Sequence, residues 1–227
     1  MGKTVKHFWN RVRKPVLVII LMIGVGLGSY GAGTFFPNFW VENNIVQKAK
    51  ASFHNEWKAF GFQQPSIEYT NDVEFINGIG RCVDFLNMTI EHEKRVPKMI
   101  IIAMAVLETG YGKSRFAVEG NNLFGYRTWD PKAPQLKPLE LPDAEFGVKK
   151  YKTKCDSVKD MIRNVNEYHA YEEYRVERAK QFDSGKIDLD KQIDLLSEWS
   201  TNPEYTKLVK MKVKKIKDIL AKNKLAK

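Results

Sequence analysis

The chain has 227 residues, 43% hydrophobic and 12% aromatic, which is enough for one packed domain with a sizeable core and a short appendage, and not for a second full domain. Its formal net charge of +10 sits at the two ends: five basic residues without an acid precede residue 16, and nine lysines against Asp218 fill 207–227. The body between is slightly acidic, which excludes a nucleic-acid-binding fold with its basic, aromatic-interleaved stripe, so no nucleic-acid partner is expected.

Residues 1–15 read as a basic cytoplasmic N-terminus. Behind them "VLVIILMIGVGLGSYGAGTFF", residues 16–36, carries no charge and approaches the roughly 20 residues that span a bilayer. Basic residues before this run and none just after it predict an inside N-terminus and an exported body, 37–227. The run is either an uncleaved membrane anchor or a signal peptide, since "SYGAG" supplies small residues for cleavage. The expected location is accordingly the inner membrane facing the periplasm or cell wall, or secretion after cleavage.

Next, "FWVENNIVQKAKASFHNEWKAFG" (39–61) has helical apolar spacing, and residues 70–96 read as a second helix capped by Thr70 or Asn71. Pro97 opens a third helix, "PKMIIIAMAVLETG", apolar on every face and therefore central and buried. Residues 124–151 hold four prolines with little helical period and read as a loop with a small β-hairpin. Helices return over 157–182, 188–200 and 203–224. The class is α+β, mainly helical. Cys82 and Cys155 form either one long-loop disulfide or two buried thiols. His7, His54, His92 and His169 are scattered without metal-ligand spacing, and neither metal nor cofactor is expected.

The third helix ends on a glutamate with two glycines directly behind it, "LETGYGKS". A carboxyl group there is poorly solvated, which raises its pKa and lets it donate a proton near neutral pH. Gly110 and Gly112 remove side chains beside it, so that a bulky polymer can approach and the backbone can turn sharply.

"LETGYGKS" followed by "GNNLFGY" resembles the motif of bacterial glucosaminidases in glycoside hydrolase family 73, and within it the Bax group. A looser likeness continues through "VKKYKT", "SVKDMIRNVNEYHAY" and "STNPEYTKL". The resemblance implies a lysozyme-like fold with a small β-hairpin lobe, export, and cleavage of β-1,4 bonds between N-acetylglucosamine and N-acetylmuramic acid in peptidoglycan glycan strands. Glu108 matches the family's general acid. Asn121, Asn122, Leu123, Phe124 and Gly125 match the segment that shapes the cleft, and Tyr205 matches the tyrosine of its "DPxY" stretch. Trp199 stands where many relatives have tyrosine.

A glutamate in the hairpin lobe is the family's usual second carboxylate; Glu145 is preferred here because "AEFGVKKY" is the most strand-like piece, with Glu140, Asp143 and Asp130 as alternatives. Tyr111, Phe124, Tyr126 and Trp129 flank the motif as sugar-stacking candidates, whereas Tyr168, Tyr171 and Tyr174 lie at helical spacing and read as core or helix surface. A muramidase or lytic transglycosylase on the same scaffold, and a non-catalytic wall-binding protein, are the rival readings. Five glycines from Gly24 to Gly33 in the apolar segment also suit a releasable phage lysis anchor.

Overall fold

The computed structural model describes residues 2–35, 44–46, 48–49, 52 and 62–225. The chain divides into two compact units, Met1–Gln63 and Gln64–Lys227. In the first, α1 (Gly2–Phe35) contains Arg13–Tyr30, a fully exposed stretch long and apolar enough to cross a membrane. Most of the helix expected over 39–61 lies outside the described residues.

The second unit is mainly helical, with one small antiparallel sheet. Its α2 (Asp72–Asn87) starts where the Asn71 side chain accepts a hydrogen bond from the Glu74 amide. This helix stops nine residues short of the sequence expectation because Arg95 folds back on its end: the guanidinium donates to the Asn87 carbonyl at 2.6 Å and to the Ile90 carbonyl at 2.9 Å, satisfying acceptors that a further turn would have used. A 3₁₀ turn, His92–Lys94, leads to Pro97, which caps rather than begins α3 (Lys98–Thr109).

All seven residues from Ile100 to Val106 are at most 3% exposed. They pack against Phe75, Ile76, Ile79 and Val83 of α2 and against Val209, Val213 and Ile216 of α8 (Tyr205–Leu225). Each such aliphatic side chain contributes about 1.5–3 kcal/mol on burial, so α3 is held against sliding and its last turn has a fixed place.

After the short α4 (Arg115–Gly120) come β1 (Arg127–Thr128), β2 (Gln135–Leu136) and β3 (Gly147–Lys149). The expected hairpin is instead a three-stranded sheet in the order β1-β3-β2, with Arg127 opposite Val148 and Leu136 also opposite Val148. The helix expected over 157–182 is two helices, α5 (Lys154–Glu167) and α6 (Glu172–Ser184), separated by a 3₁₀ turn at His169–Tyr171. A capping box between Thr153 and Asp156 starts α5. The stretch 188–200 is α7 (Leu189–Asp194) followed by a third 3₁₀ turn, Ser197–Trp199.

Cys82 on α2 and Cys155 on α5 are joined by a disulfide, with Cα atoms 5.7 Å apart.

Candidate active site

Glu108 is the penultimate residue of α3, so the buried helix fixes its backbone. The chain then turns through three consecutive residues in the left-handed region, Gly110 (φ 58°), Tyr111 (φ 63°) and Gly112 (φ 79°). Thr109 braces that turn: its hydroxyl donates to the Ala105 carbonyl at 2.6 Å and accepts from the Gly112 amide at 2.8 Å. The two glycines serve different ends. Around Gly110 a Cβ would meet nothing, so the space beside Glu108 is open there. Gly112 is not an approach path: a Cβ would strike the Tyr69 and Phe75 rings, and the Tyr69 hydroxyl donates to its carbonyl at 2.7 Å.

Among the described residues the Glu108 carboxylate has one hydrogen-bond donor: the Tyr205 hydroxyl, from the first turn of α8, donates to Oε1 at 2.9 Å, while the Trp199 side chain stands beside it and favours its ionised form. Gly125 closes the other side, where a Cβ would lie 3.8 Å from Oε2. By accessible surface Glu108 is open to water, yet protein fills most of the volume around it. Both hold for a residue on the floor of a cleft, and for protonation the surrounding volume decides. Loss of hydration raises the Glu108 pKa above the usual carboxylate value, and the hydrogen bond from Tyr205, with the neighbouring Trp199, only partly opposes that rise. Burial and the neighbouring carboxylate push the ionisation of Tyr205 upward as well, so it stays a donor at all ordinary pH.

The wall opposite α8 is the segment 121–126. Asn122 is 1% exposed and shapes this wall from within. Its Nδ2 donates to the Tyr126 and Lys149 carbonyls at 3.0 and 2.8 Å, while its Oδ1 accepts from the Phe124 and Tyr126 amides, both at 3.2 Å. Asn121 (φ 52°) ends α4, and its Nδ2 donates to the Tyr151 and Lys152 carbonyls, each at 3.1 Å. Matched by the family likeness to the segment that shapes the cleft, both amides hydrogen-bond to the backbone and set the loop that carries Gly125.

Behind the wall stands α5. Ser157 Oγ accepts from the Leu123 amide at 3.0 Å. Asp160 takes Lys149 Nζ and the Tyr151 hydroxyl, each at 2.6 Å, and the Arg163 guanidinium at 2.5 Å. Burial alone would raise the Asp160 pKa, but these three partners outweigh it and hold the group at about 2. No local motif marked Ser157 or Asp160; what places them is the Thr153–Asp156 capping box, which fixes the phase of α5.

Trp199 joins the two walls. Its ring meets Tyr126 at 5.5 Å, Phe124 at 6.1 Å and Tyr171 at 6.2 Å between centroids. Tyr171, read from sequence as core or helix surface, is therefore part of the aromatic cluster beside the acid. Tyr111 goes the other way: expected to stack on sugar, it is 8% exposed and lies in the core, with Lys113 and Lys215 each 5.8 Å from its ring centre. Its left-handed backbone directs the side chain inward. Trp129 is 65% exposed on the lobe, beside Phe146, whose other neighbour is the Arg127 guanidinium.

Glu145 lies two residues before β3 rather than in it, and is exposed. Tyr126 accepts the Lys149 amide, which puts Lys150 level with Gly125 at the acid. Glu145 is five residues further along the chain, in a bend beyond the end of β3. Glu140, Asp143 and Asp130 are also exposed, and Asp130 binds its own turn by accepting from the Lys132 amide.

A carboxylic acid of raised pKa, held by the Tyr205 hydroxyl beside Trp199 and facing an open glycine-lined gap, fits protonation of a glycosidic oxygen. The sequence comparisons bear on the same residues: the family described as glucosaminidase, mannosyl-glycoprotein endo-β-N-acetylglucosaminidase, matches residues 87–225. The chain belongs to the glucosaminidase family. It is thus a glycoside hydrolase, and Glu108, the cleft wall and Tyr205 all fall inside the matched stretch. The chain is also similar to Protein bax of Escherichia coli (strain K12), 29% identical over 94 residues, which are 41% of this chain and 32% of that protein. The match therefore spans about a third of that relative's length. No solved structure matches the chain significantly.

One result follows directly from the Tyr205 hydrogen bond. Tyr205→Phe keeps the ring but removes a hydrogen bond that favours the ionised carboxylate, so the Glu108 pKa rises further. The alkaline limb of the pH–rate profile is expected to move to higher pH, and an unmoved limb would show that the Tyr205 hydroxyl does not act on Glu108.

Proposed function

We propose that this glycoside hydrolase is a peptidoglycan endo-β-N-acetylglucosaminidase cutting the β-1,4 bond between N-acetylglucosamine and N-acetylmuramic acid. The observation that carries the reading is the Glu108 carboxyl, of raised pKa, between Tyr205 and Trp199 on one side and Gly125 on the other. Protonated Glu108 gives its proton to the leaving glycosidic oxygen as the bond to the anomeric carbon breaks. The carboxylate, steadied by the Tyr205 hydroxyl, then takes a proton from the water that attacks that carbon.

A second group must stabilise the oxocarbenium-like carbon. Retaining pairs of carboxylates lie about 5 Å apart and inverting pairs roughly 6.5–9.5 Å. The wall segment 121–126 carries no carboxylate and Glu145 stands in an exposed bend before β3, which favours the substrate's own acetamido oxygen closing on the anomeric carbon. On that route Glu145→Gln, Glu140→Gln and Asp143→Asn each leave turnover within a few-fold of wild type. A selective fall on Glu145→Gln, toward the roughly 10²-fold worth of an acid–base group, would instead make Glu145 the partner.

Mass spectrometry of muropeptides after digestion tests the bond cut. New reducing N-acetylglucosamine ends support the proposal; reducing or 1,6-anhydro N-acetylmuramic ends identify a muramidase or a lytic transglycosylase and overturn it. The exposed apolar stretch Arg13–Tyr30 and the five basic residues before residue 16 support a body outside the inner membrane, tethered or released. A periplasm-active reporter fused after Lys227 is expected to be active, whereas a signal from a cytoplasm-only reporter would end the export reading.

A further inference from the structure

Helix α8 is needed for catalysis only at its first turn, where Tyr205 reaches Glu108. Along the rest of it Val209, Val213 and Ile216 face the core, and the opposite side is lysine-rich. Lys207 is paired with Glu204 at 2.7 Å, and Lys210 with Asp194 at 2.7 Å. Lys214, Lys215, Lys217 and Lys222 are exposed and have no ion-pair partner among the described residues. At 100° per residue these four cover an arc centred opposite the buried valines, with Met211, 59% exposed, within it. Asp218, the sole acid of the helix, is exposed and lies within the same arc, so the four lysines leave that face net positive.

We propose that this face of α8 docks on an anionic bilayer surface. Three observations choose that occupant over an anionic wall polymer. The face is the convex outer side of a helix, which suits a flat surface, whereas a polymer strand is gripped in a groove lined by aromatics. Met211 among the lysines gives an apolar side chain to the headgroup boundary, as in interfacial helices. The same chain carries a span-length apolar helix, so a bilayer is the surface to which it is covalently bound on the reading above. Docking there keeps a wall hydrolase close to the membrane and turns its activity on the wall nearest the cell.

The test is amine-reactive labelling of the full chain, read residue by residue by mass spectrometry, in nanodiscs of neutral phosphatidylcholine and of phosphatidylcholine mixed with phosphatidylglycerol. Nanodiscs leave both leaflets accessible, and the exposed Lys132 and Lys186 are internal references. A lysine near an anionic surface gains about 1 kcal/mol, a factor of about five. Labelling of Lys214, Lys215, Lys217 and Lys222 is expected to fall by about that factor with the anionic lipid relative to the references, and to recover in high salt. The chain added to preformed anionic nanodiscs shows the same protection if residues 16–36 prove to be a cleaved signal, because the face acts without a span. The triple variant Lys214→Gln, Lys217→Gln, Lys222→Gln loses protection at Lys215 yet hydrolyses dissolved wall fragments at the wild-type rate, which separates this proposal from the catalytic one. Equal labelling in the two lipids overturns it, as does protection produced in neutral nanodiscs by purified wall polymer.

Discussion

Glu108→Gln is expected to lower turnover on purified peptidoglycan by 10²- to 10⁴-fold, the usual worth of a general acid, while binding to the wall persists. The amide keeps the shape of the carboxyl and can still accept from Tyr205, but it has no proton of suitable acidity for the leaving oxygen. The same substitution is expected to help folding at high pH. Glu108 has a folded pKa above its unfolded value, so the folded state holds the proton more tightly. The stability associated with that proton is fully present below the ordinary carboxylate pKa and is lost as pH rises through the raised one. Across that window the midpoint of thermal unfolding of Glu108→Gln should gain on wild type, because the amide has no charge to desolvate. Near-full activity in the variant would remove Glu108 from the mechanism, and a constant difference in midpoint across pH would remove its raised pKa.

That the place of Glu108 at the end of a buried helix is legible in the sequence, and most of the contacts around it are not, has a physical reason. The run "PKMIIIAMAVLE" is apolar on every face, a local pattern with a single packing solution, so burial of α3 and the place of the acid at its end follow together. Glu108 and Tyr205, 97 positions apart, came from the family likeness, and the structure brings them to 2.9 Å. Asn122 shows the limit of a motif. The letters "NNLFG" mark the cleft wall, but not whether an amide faces sugar or backbone, and this amide spends every polar atom on the wall itself. Tyr111 shows the limit of composition: an aromatic beside the acid looked like a stacking platform until a left-handed φ turned it inward. The lobe was harder still. Its strands are two or three residues long, too short for alternation to mark, and β3 is held from outside the lobe, where the Asn122 amide donates to the Lys149 carbonyl and Lys149 Nζ donates to Asp160.

The cysteine pair is expected to give the largest change in stability. Cys82 and Cys155 are 73 residues apart and fully buried, and their bond ties α2 of the core to α5 behind the cleft wall. Closing a loop of that length removes disorder from the unfolded chain worth about 4 kcal/mol by the chain-entropy relation, within a usual range of about 2–5. For a chain of this size about 4 kcal/mol corresponds to a fall of roughly 10 °C in the unfolding midpoint. Reduction under mild denaturation, or the double change Cys82→Ala with Cys155→Ala, is expected to produce a fall of that order. The alanine pair is the better variant, since it places no unpaired hydroxyl in an apolar site. The effect should reach the active site, because α5 carries the Ser157 and Asp160 contacts that hold the wall segment and β3. Loss of the bond should therefore lower turnover more steeply with temperature than global unfolding alone accounts for. The bond also bears on location, because structural disulfides persist in oxidising compartments and are rare in the cytosol. Protein isolated from the periplasm or medium and alkylated under denaturing conditions should show no free thiol. Two free thiols in that preparation would remove both the stabilisation and its support for export.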